Sequence, residues 1–287
     1  MALLVGALAL GGIYALVAVG VVMVFRSTGI LNFAQGELLM VGGYAYVLAA
    51  GATSSPILQI ASPLAAGAVA GLLLFALTSI LLRFADELVV VLGTFALSIL
   101  MQAIARLKFS DTPIPAQPWL VGDRVISLGT VRLEANSLLA IGLSAVVTVV
   151  LFVWFQRSTY GKAMRAVAED RFRAGISGIP VRRMLIMSWV LGSALAAVAG
   201  VFLVPTTGAF PGLGATVLLP AFFAAVIGGL DSVVGAVVAG FIFGLAQTYA
   251  VVVFGDALRD VAIFAILLGV LIVRPSGLLG SQRIRRY

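Results

Sequence analysis

An all-α, polytopic bundle of transmembrane helices with about eight to nine spans is predicted by three features of this 287-residue chain. The composition is 62% hydrophobic and 10% charged, with mean hydropathy +1.19, whereas about a quarter of residues are charged in an ordinary globular domain. Nine apolar runs approach the roughly 20 residues that cross a hydrocarbon core at 1.5 Å of rise each. The basic residues gather at the ends of those runs, so a net charge of +7 and a pI near 10.4 follow the positive-inside pattern, and no nucleic-acid partner is expected. Cysteine and histidine are both absent. Disulfides, thiol nucleophiles and imidazole chemistry therefore drop out, and no metal or cofactor is expected. The whole of 1–287 reads as one transmembrane domain.

The first run, 2–25, lacks a basic segment ahead of it and a small-residue cleavage site behind it, so it reads as a span and not as a cleaved signal peptide. After Arg26, the stretch 27–37 interrupts the apolarity before the second run, 38–50. With Pro56 and Pro63 nearby, 51–62 reads as a short loop. The third run, 64–82, ends in a charged turn at Arg83, Asp86 and Glu87, and the fourth is 88–107. Over 108–136 the chain is polar, with Pro113, Pro115 and Pro118, and alternation through 125–133 predicts a small hairpin. A fifth run, 137–155, leads into a polar island at 157–183, and a sixth covers 185–204. The Gly- and Pro-rich 205–214 reads as loop or unwound backbone. The last three runs are 215–230, 232–254 and 261–273, followed by a basic tail with Arg283, Arg285 and Arg286.

If every run crosses, Arg26, Arg83, the island and the tail share one side and collect 13 basic residues against 5 opposite. That bias assigns them to the cytoplasm, with the N-terminus outside, the C-terminus inside and 108–136 as an extracytoplasmic loop. The run 215–230 is short and holds Pro220, so it is either a tilted or broken crossing or a re-entrant hairpin; parity favours the crossing. Small residues recur at four-residue spacing at Gly67 and Gly71, at Gly192, Ala196 and Gly200, and at Ala236, Gly240 and Gly244. Such stripes either let helix backbones approach closely or line a pore.

No run carries an ionisable residue near its centre, which argues against an ion-coupled secondary carrier. Glu37, behind Asn32 and Gln35, stands at the edge of the second run. Either it sits in a first helical turn, where the macrodipole favours it, or it contacts a substrate or partner. Thr94, Ser98 and Gln102 share one helix face at four-residue spacing, and Gln247 and Thr248 sit similarly in the eighth run. These are candidates for a translocation pathway, with interhelical hydrogen bonding as the plainer reading. No GxxxxGK[ST] phosphate loop, Gly-x-Ser-x-Gly or His-Glu-x-x-His occurs, so the chain is not expected to be an enzyme, and energy for active transport has to come from elsewhere.

The island holds seven of the eighteen basic residues. Within it, Lys162 to Arg173 has the composition of one short helix that Gly161 starts and Gly175, Gly178 and Pro180 stop. Ala163, Ala166, Val167 and Ala174 form a small apolar stripe on it. Alanine buries too little area to anchor in lipid, so the stripe favours docking on a protein over lying on a membrane surface.

The segments LALGGIYALVAVGVVMVFRSTGILNFAQGELLMVGGY, TYGKAMRAVAEDRFRAGISGIPVRR, GGLDSVVGAVVAGFIFGL and RPSGLLG occur in that order. On them the chain resembles the permease subunits of branched-chain amino acid ABC importers, the LivH type, over nearly its whole length. Asn32 to Glu37 reproduces that family's Asn-Phe-Ala-(His/Gln)-Gly-Glu run, with Gln35 where histidine is common. The resemblance implies an importer-type ABC permease in a bacterial-type cytoplasmic (inner) membrane. It would pair with a second permease subunit in a heterodimer, two cytoplasmic ATPase subunits and an extracytoplasmic solute-binding protein that carries most of the specificity, with membrane lipid around it. It also implies that the loop 156–184 couples to the ATPases. Gly161, Arg165, Ala166, Asp170, Ala174, Gly178 and Ile179 occupy the characteristic positions, and Lys162 and Glu169 lie on the same segment. Permeases of this kind move a small solute: branched-chain amino acids, urea, short amides or aromatic acids. A membrane scaffold is the remaining alternative.

Overall fold

A computed structural model describes residues 2–279 apart from 83, 85, 121–123, 129–130, 256–257 and 275–276. Arg83 and the basic tail from 280 onward, which enter the charge asymmetry, lie outside the described residues. Within them the elements are α1 (Ala2–Thr28), α2 (Gln35–Ala52), α3 (Pro56–Leu81), α4 (Glu87–Phe109), β1 (Val125–Leu128), β2 (Val131–Glu134), α5 (Ala135–Arg157), α6 (Thr159–Glu169), α7 (Arg171–Ile176), α8 (Val181–Thr207), α9 (Leu213–Gly228), α10 (Val233–Phe254) and α11 (Arg259–Val273). Six of them, α1, α3, α4, α5, α8 and α10, are long and apolar enough to cross a membrane unaided. The opening of α2 carries Gln35 and Glu37, and α9 and α11 have only 16 and 15 residues. The protein is a multi-pass helical membrane protein.

Helices α1 and α8 form its centre, each buried along most of its length. α1 packs most extensively on α10, and α8 on α3, α1 and α2. Lipid tails offer no hydrophobic drive for these contacts, so close backbone approach has to supply the packing energy. The small-residue stripes do this within the chain. Gly67 and Gly71 of α3 lie on Ala197 and Ser193 of α8, Gly200 of α8 lies on Leu39 and Gly43, and Gly240 and Gly244 of α10 lie on Ala15 and Gly11 of α1. The outward surfaces of α3, α4 and α5 are apolar, with Val69, Leu92, Ile99 and Val149 exposed.

Helix ends sort onto two faces of the bundle. Arg26, Gln156, Arg165, Asp231 and Leu279 line one recess, which brings the ends of α1, α5, α6 and α10 together. At the other face, Tyr46 donates to the Gln117 carbonyl (2.6 Å) and Trp119 Nε1 to the Pro56 carbonyl (2.9 Å). Ile114 forms an antiparallel bridge with Ala209, so the segment after α4 is stitched to the α8–α9 turn. The two strands pair antiparallel from Val125↔Glu134 to Leu128↔Val131 as a hairpin.

Three sequence expectations are corrected. The loop expected at 51–62 is mostly helix: α3 begins at Pro56, and only 53–55 connects it to α2. Proline at a first helical position lacks only an N–H that would be unpaired anyway, and Pro63 is carried inside the helix. The loop at 205–214 shrinks to 208–212, because α8 runs through Pro205 to Thr207. The single helix expected in the island is two. Asp170 leaves helical geometry (φ −156°, ψ 109°), and its carboxylate accepts from the Phe172 and Arg173 N–H groups at 2.9 and 3.0 Å. One residue thus ends α6 and caps α7.

Candidate functional site

Two regions carry the candidate residues. The first is a polar cluster where the chain re-enters the bundle between α1 and α2. After Gly29, which turns at φ +72°, residues 30–34 run back inward. Asn32 Oδ1 accepts from the Ala34 N–H (3.0 Å), and its amide reaches Gln35 Oε1 (3.3 Å). Gln35 Nε2 donates to the Gly192 carbonyl of α8 (2.9 Å), passing over Gly20 of α1, where a Cβ would collide with it. On α4, the Thr94 hydroxyl accepts from the Phe33 N–H (3.1 Å) and donates to the Val91 carbonyl (2.7 Å), holding the re-entrant turn.

These contacts fix a depth. Gly192 is the twelfth residue of the 27-residue α8, about 16 Å from the start of a helix about 40 Å long. Gln35 therefore lies near the middle of a hydrocarbon core about 30 Å thick. Gly36 packs against the backbone of Gly214, so α2 and α9 both begin at this level. Glu37 follows two residues on, still in the first turn of α2, and is fully buried. The expectation that no ionisable residue reaches mid-membrane is overturned, because hydropathy along the chain does not register a segment that folds back.

Glu37 is not used at the helix terminus. Asn32 accepts from the N–H of Ala34, the residue before α2, and the Glu37 carboxylate crosses to α4, where Gln102 Nε2 donates to Oε1 at 2.8 Å. Its Oε2 is buried and unpartnered among the described residues. Ser98 is buried on the same α4 face as Thr94 and Gln102. Glu37, Thr94, Ser98 and Gln102 thus lie where α4 meets α2 and the turn before it, whereas Gln35, with Asn32 bonded to it, turns toward α1 and α8. Gln247 does not join them: it accepts from the Tyr14 hydroxyl (2.5 Å) at the α1–α10 contact, and Thr248 bonds back to the Gly244 carbonyl. Sequence reasoning missed Tyr14, Ser193 and Trp189. Ser193 Oγ and Trp189 Nε1 are buried without a partner among the described residues, and only their place beside Gly192 of the small-residue stripe hints at them.

The second region is the α6–α7 pair. Ser158 caps α6 by accepting the Gly161 N–H (2.9 Å). Gly161 is buried on the backbone of Phe155, and Arg165 donates to the Phe155 carbonyl and to that of Gln156 (3.4 Å). These contacts clamp α6 to the end of α5. At the end of α7, Gly178 takes φ +79° while Ile179 N–H bonds to the Ala174 carbonyl and Gly178 N–H to that of Gly175, a Schellman closure. The stripe expected to face a partner faces inward: Val167 and Ala174 are buried, and Ala163 and Ala166 pack against the core. Alanine at these positions is set by close packing under the island. The outward surface carries Phe172, 76% exposed, and Ile176, 73% exposed, one helical turn apart. Lys162, Glu169, Arg171, Arg173, Arg182 and Arg183 are exposed around them, with Asp170 and Arg173 paired at 3.1 Å.

A multi-pass helical bundle with a buried polar cluster has the form of a membrane permease. The chain belongs to the family described as branched-chain amino acid transport system, permease component, which matches residues 3–273. It is 33% identical to the high-affinity branched-chain amino acid transport system permease protein BraD of Pseudomonas aeruginosa, over 99% of this chain and 96% of the relative. It is 30% identical to LivH of Escherichia coli K12, over 96% of this chain and 94% of the relative. A probable LivH of Methanocaldococcus jannaschii is 27% identical over 97% and 92% of the two lengths. No solved structure matches the chain. Family membership, and not the lack of a buried carboxylate, separates this protein from ion-coupled carriers.

Proposed function

We propose that this chain is the permease subunit of an ATP-driven importer of branched-chain amino acids in a bacterial-type inner membrane. Its near end-to-end similarity to permeases named for that transport carries the reading. It pairs with a second permease, two cytoplasmic ATPase subunits and an extracytoplasmic solute-binding protein. The ATPases engage the loop 156–184, with Phe172 and Ile176 as anchors, while Gly161 and Arg165 relay the motion to α5. Substrate passes along the cleft between α2 and α4. The test is reconstitution with all partners in liposomes and measurement of L-leucine uptake. ATP-dependent accumulation that requires the binding protein is expected, and its absence would overturn the reading.

The N-terminus lies outside, the C-terminus inside, and 108–136 faces the binding protein. The recess that gathers the ends of α1, α5 and α10 beside the basic island supports this orientation. Cysteine placed at the exposed Ser177 is expected to react with a membrane-impermeant maleimide only in inverted vesicles. Labelling of intact cells would reverse the topology.

A further inference from the structure

We propose that Glu37 is the group that recognises the ammonium of the transported amino acid, in the cleft between α2 and α4; this rests on the function proposed above and deepens it. A carboxylate at mid-membrane depth is costly unless it is paired, so such residues mark substrate pathways. Glu37 is fully buried. Its Oε1 accepts from Gln102, and its Oε2 has no partner among the described residues. Among the described residues no basic side chain pairs with it, and Arg106–Asp111 and Arg173–Asp170 are at water-exposed positions. The unused oxygen therefore calls for a cationic donor from outside the chain, and a primary ammonium supplies charge and three N–H groups in a compact head.

The neighbouring elements allow access. α4 fully buries only Val90, Thr94, Ser98 and Ala105, with Leu97, Met101 and Phe109 partly buried against the core, so a narrow strip of mixed polar and apolar residues holds it to the bundle. Gln102, half-buried, stands on that strip and, among the described residues, is the single hydrogen-bonded cover of the Glu37 carboxylate. Outward displacement of α4 uncovers the carboxylate together with Thr94 and Ser98 of α4 itself. In the closed arrangement Gln102 replaces part of what the ligand gives, which lets an empty cleft shut.

The experiment uses the assembled permease–ATPase complex in phosphatidylcholine nanodiscs, whose lipid offers no primary ammonium. L-Leucine binding is measured without the binding protein, in competition with 3-methylbutylamine, which keeps the ammonium, and 4-methylpentanoate, which keeps the carboxylate. The amine is expected to displace leucine at least tenfold more effectively than the acid. Glu37→Gln keeps shape and hydrogen bonding but not charge; it is expected to weaken leucine binding at least tenfold, erase the amine's advantage, and lower kcat for uptake while leaving KM and the melting temperature unchanged. Equal displacement by the two competitors, no leucine binding by the native complex, or native binding by Glu37→Gln would overturn the proposal. Should Glu37→Gln fail to assemble, Gln102→Ala decides: it removes only the cover, so amine preference is expected to persist, and its loss would overturn the proposal. Failure of the parent reading looks different: the native complex with its binding protein would then import no leucine.

Discussion

Replacing Phe172 and Ile176 together by aspartate is expected to reduce ATP-driven leucine uptake about a hundredfold while leaving insertion and thermal stability near native. Both side chains are three-quarters exposed and touch little of their own protein, and surface changes away from special features typically move stability by no more than about 0.5 kcal/mol. Their size and setting are those of interface anchors: an aromatic and an aliphatic residue a turn apart, ringed by arginines. Truncating one anchor typically costs 2 kcal/mol or more, and each 1.4 kcal/mol is tenfold in affinity. Two lost anchors together, with carboxylates put in their place, therefore remove productive contact at working concentrations. Uptake in proteoliposomes, paired with co-purification of the ATPases, checks this. Native uptake by the double variant would show that the α6–α7 surface is not where force enters.

Gly42→Leu is expected to abolish the folded protein. A Cβ at this position falls onto the carbonyl and Cα of Ala197, so relief requires α2 to move from α8 instead of a rotamer change. Overpacking in a well-packed interior typically costs about 1–3 kcal/mol, and a clash with backbone in a rigid helix pair belongs at or above the top of that range. Gly42 lies about one and a half turns past Glu37 and next to Gly43, which is itself pressed by Gly200, so separation there also dismantles the polar cluster. Monodisperse yield after detergent extraction reads the effect; Gly51→Leu, where a Cβ meets nothing, is the control and is expected to behave as the native chain.

Much of the architecture was legible in the residues. The apolar runs located the helices, and the glycine stripes at Gly67, Gly192 and Gly240 marked backbones that do approach closely. The four-residue spacing of Thr94, Ser98 and Gln102 correctly put them on one inward face. What escaped was whatever depends on depth or on a partner's position. Hydropathy scored 27–37 as an interruption at the membrane edge, whereas Gln35 finds its acceptor at Gly192, 157 residues away. The island's alanines were read for the wrong neighbour, since small size serves contact with one's own core as well as with another protein. Asp170 passed for one more charge on a helix because its capping role depends on a backbone turn that composition does not reveal.

The shared beginning of α2 and α9 at mid-depth bears on how the protein is made. A translocon admits a segment by its apolarity and length, and neither helix qualifies well: α2 starts with Gln35 and Glu37, and α9 has 16 residues. Each needs neighbours to shield its first turn from lipid. For α2 that surface comes from α4 and α8 as well as Gly20 of α1, so part of it is made later; for α9 it is α1 and α2, synthesised earlier, and α10, made after it. Membrane entry of these two helices thus belongs to assisted integration, and a ribosome pause or a truncation before α8 would leave Gln35 of α2 without its acceptor at Gly192, while Glu37 would already have Gln102 of α4.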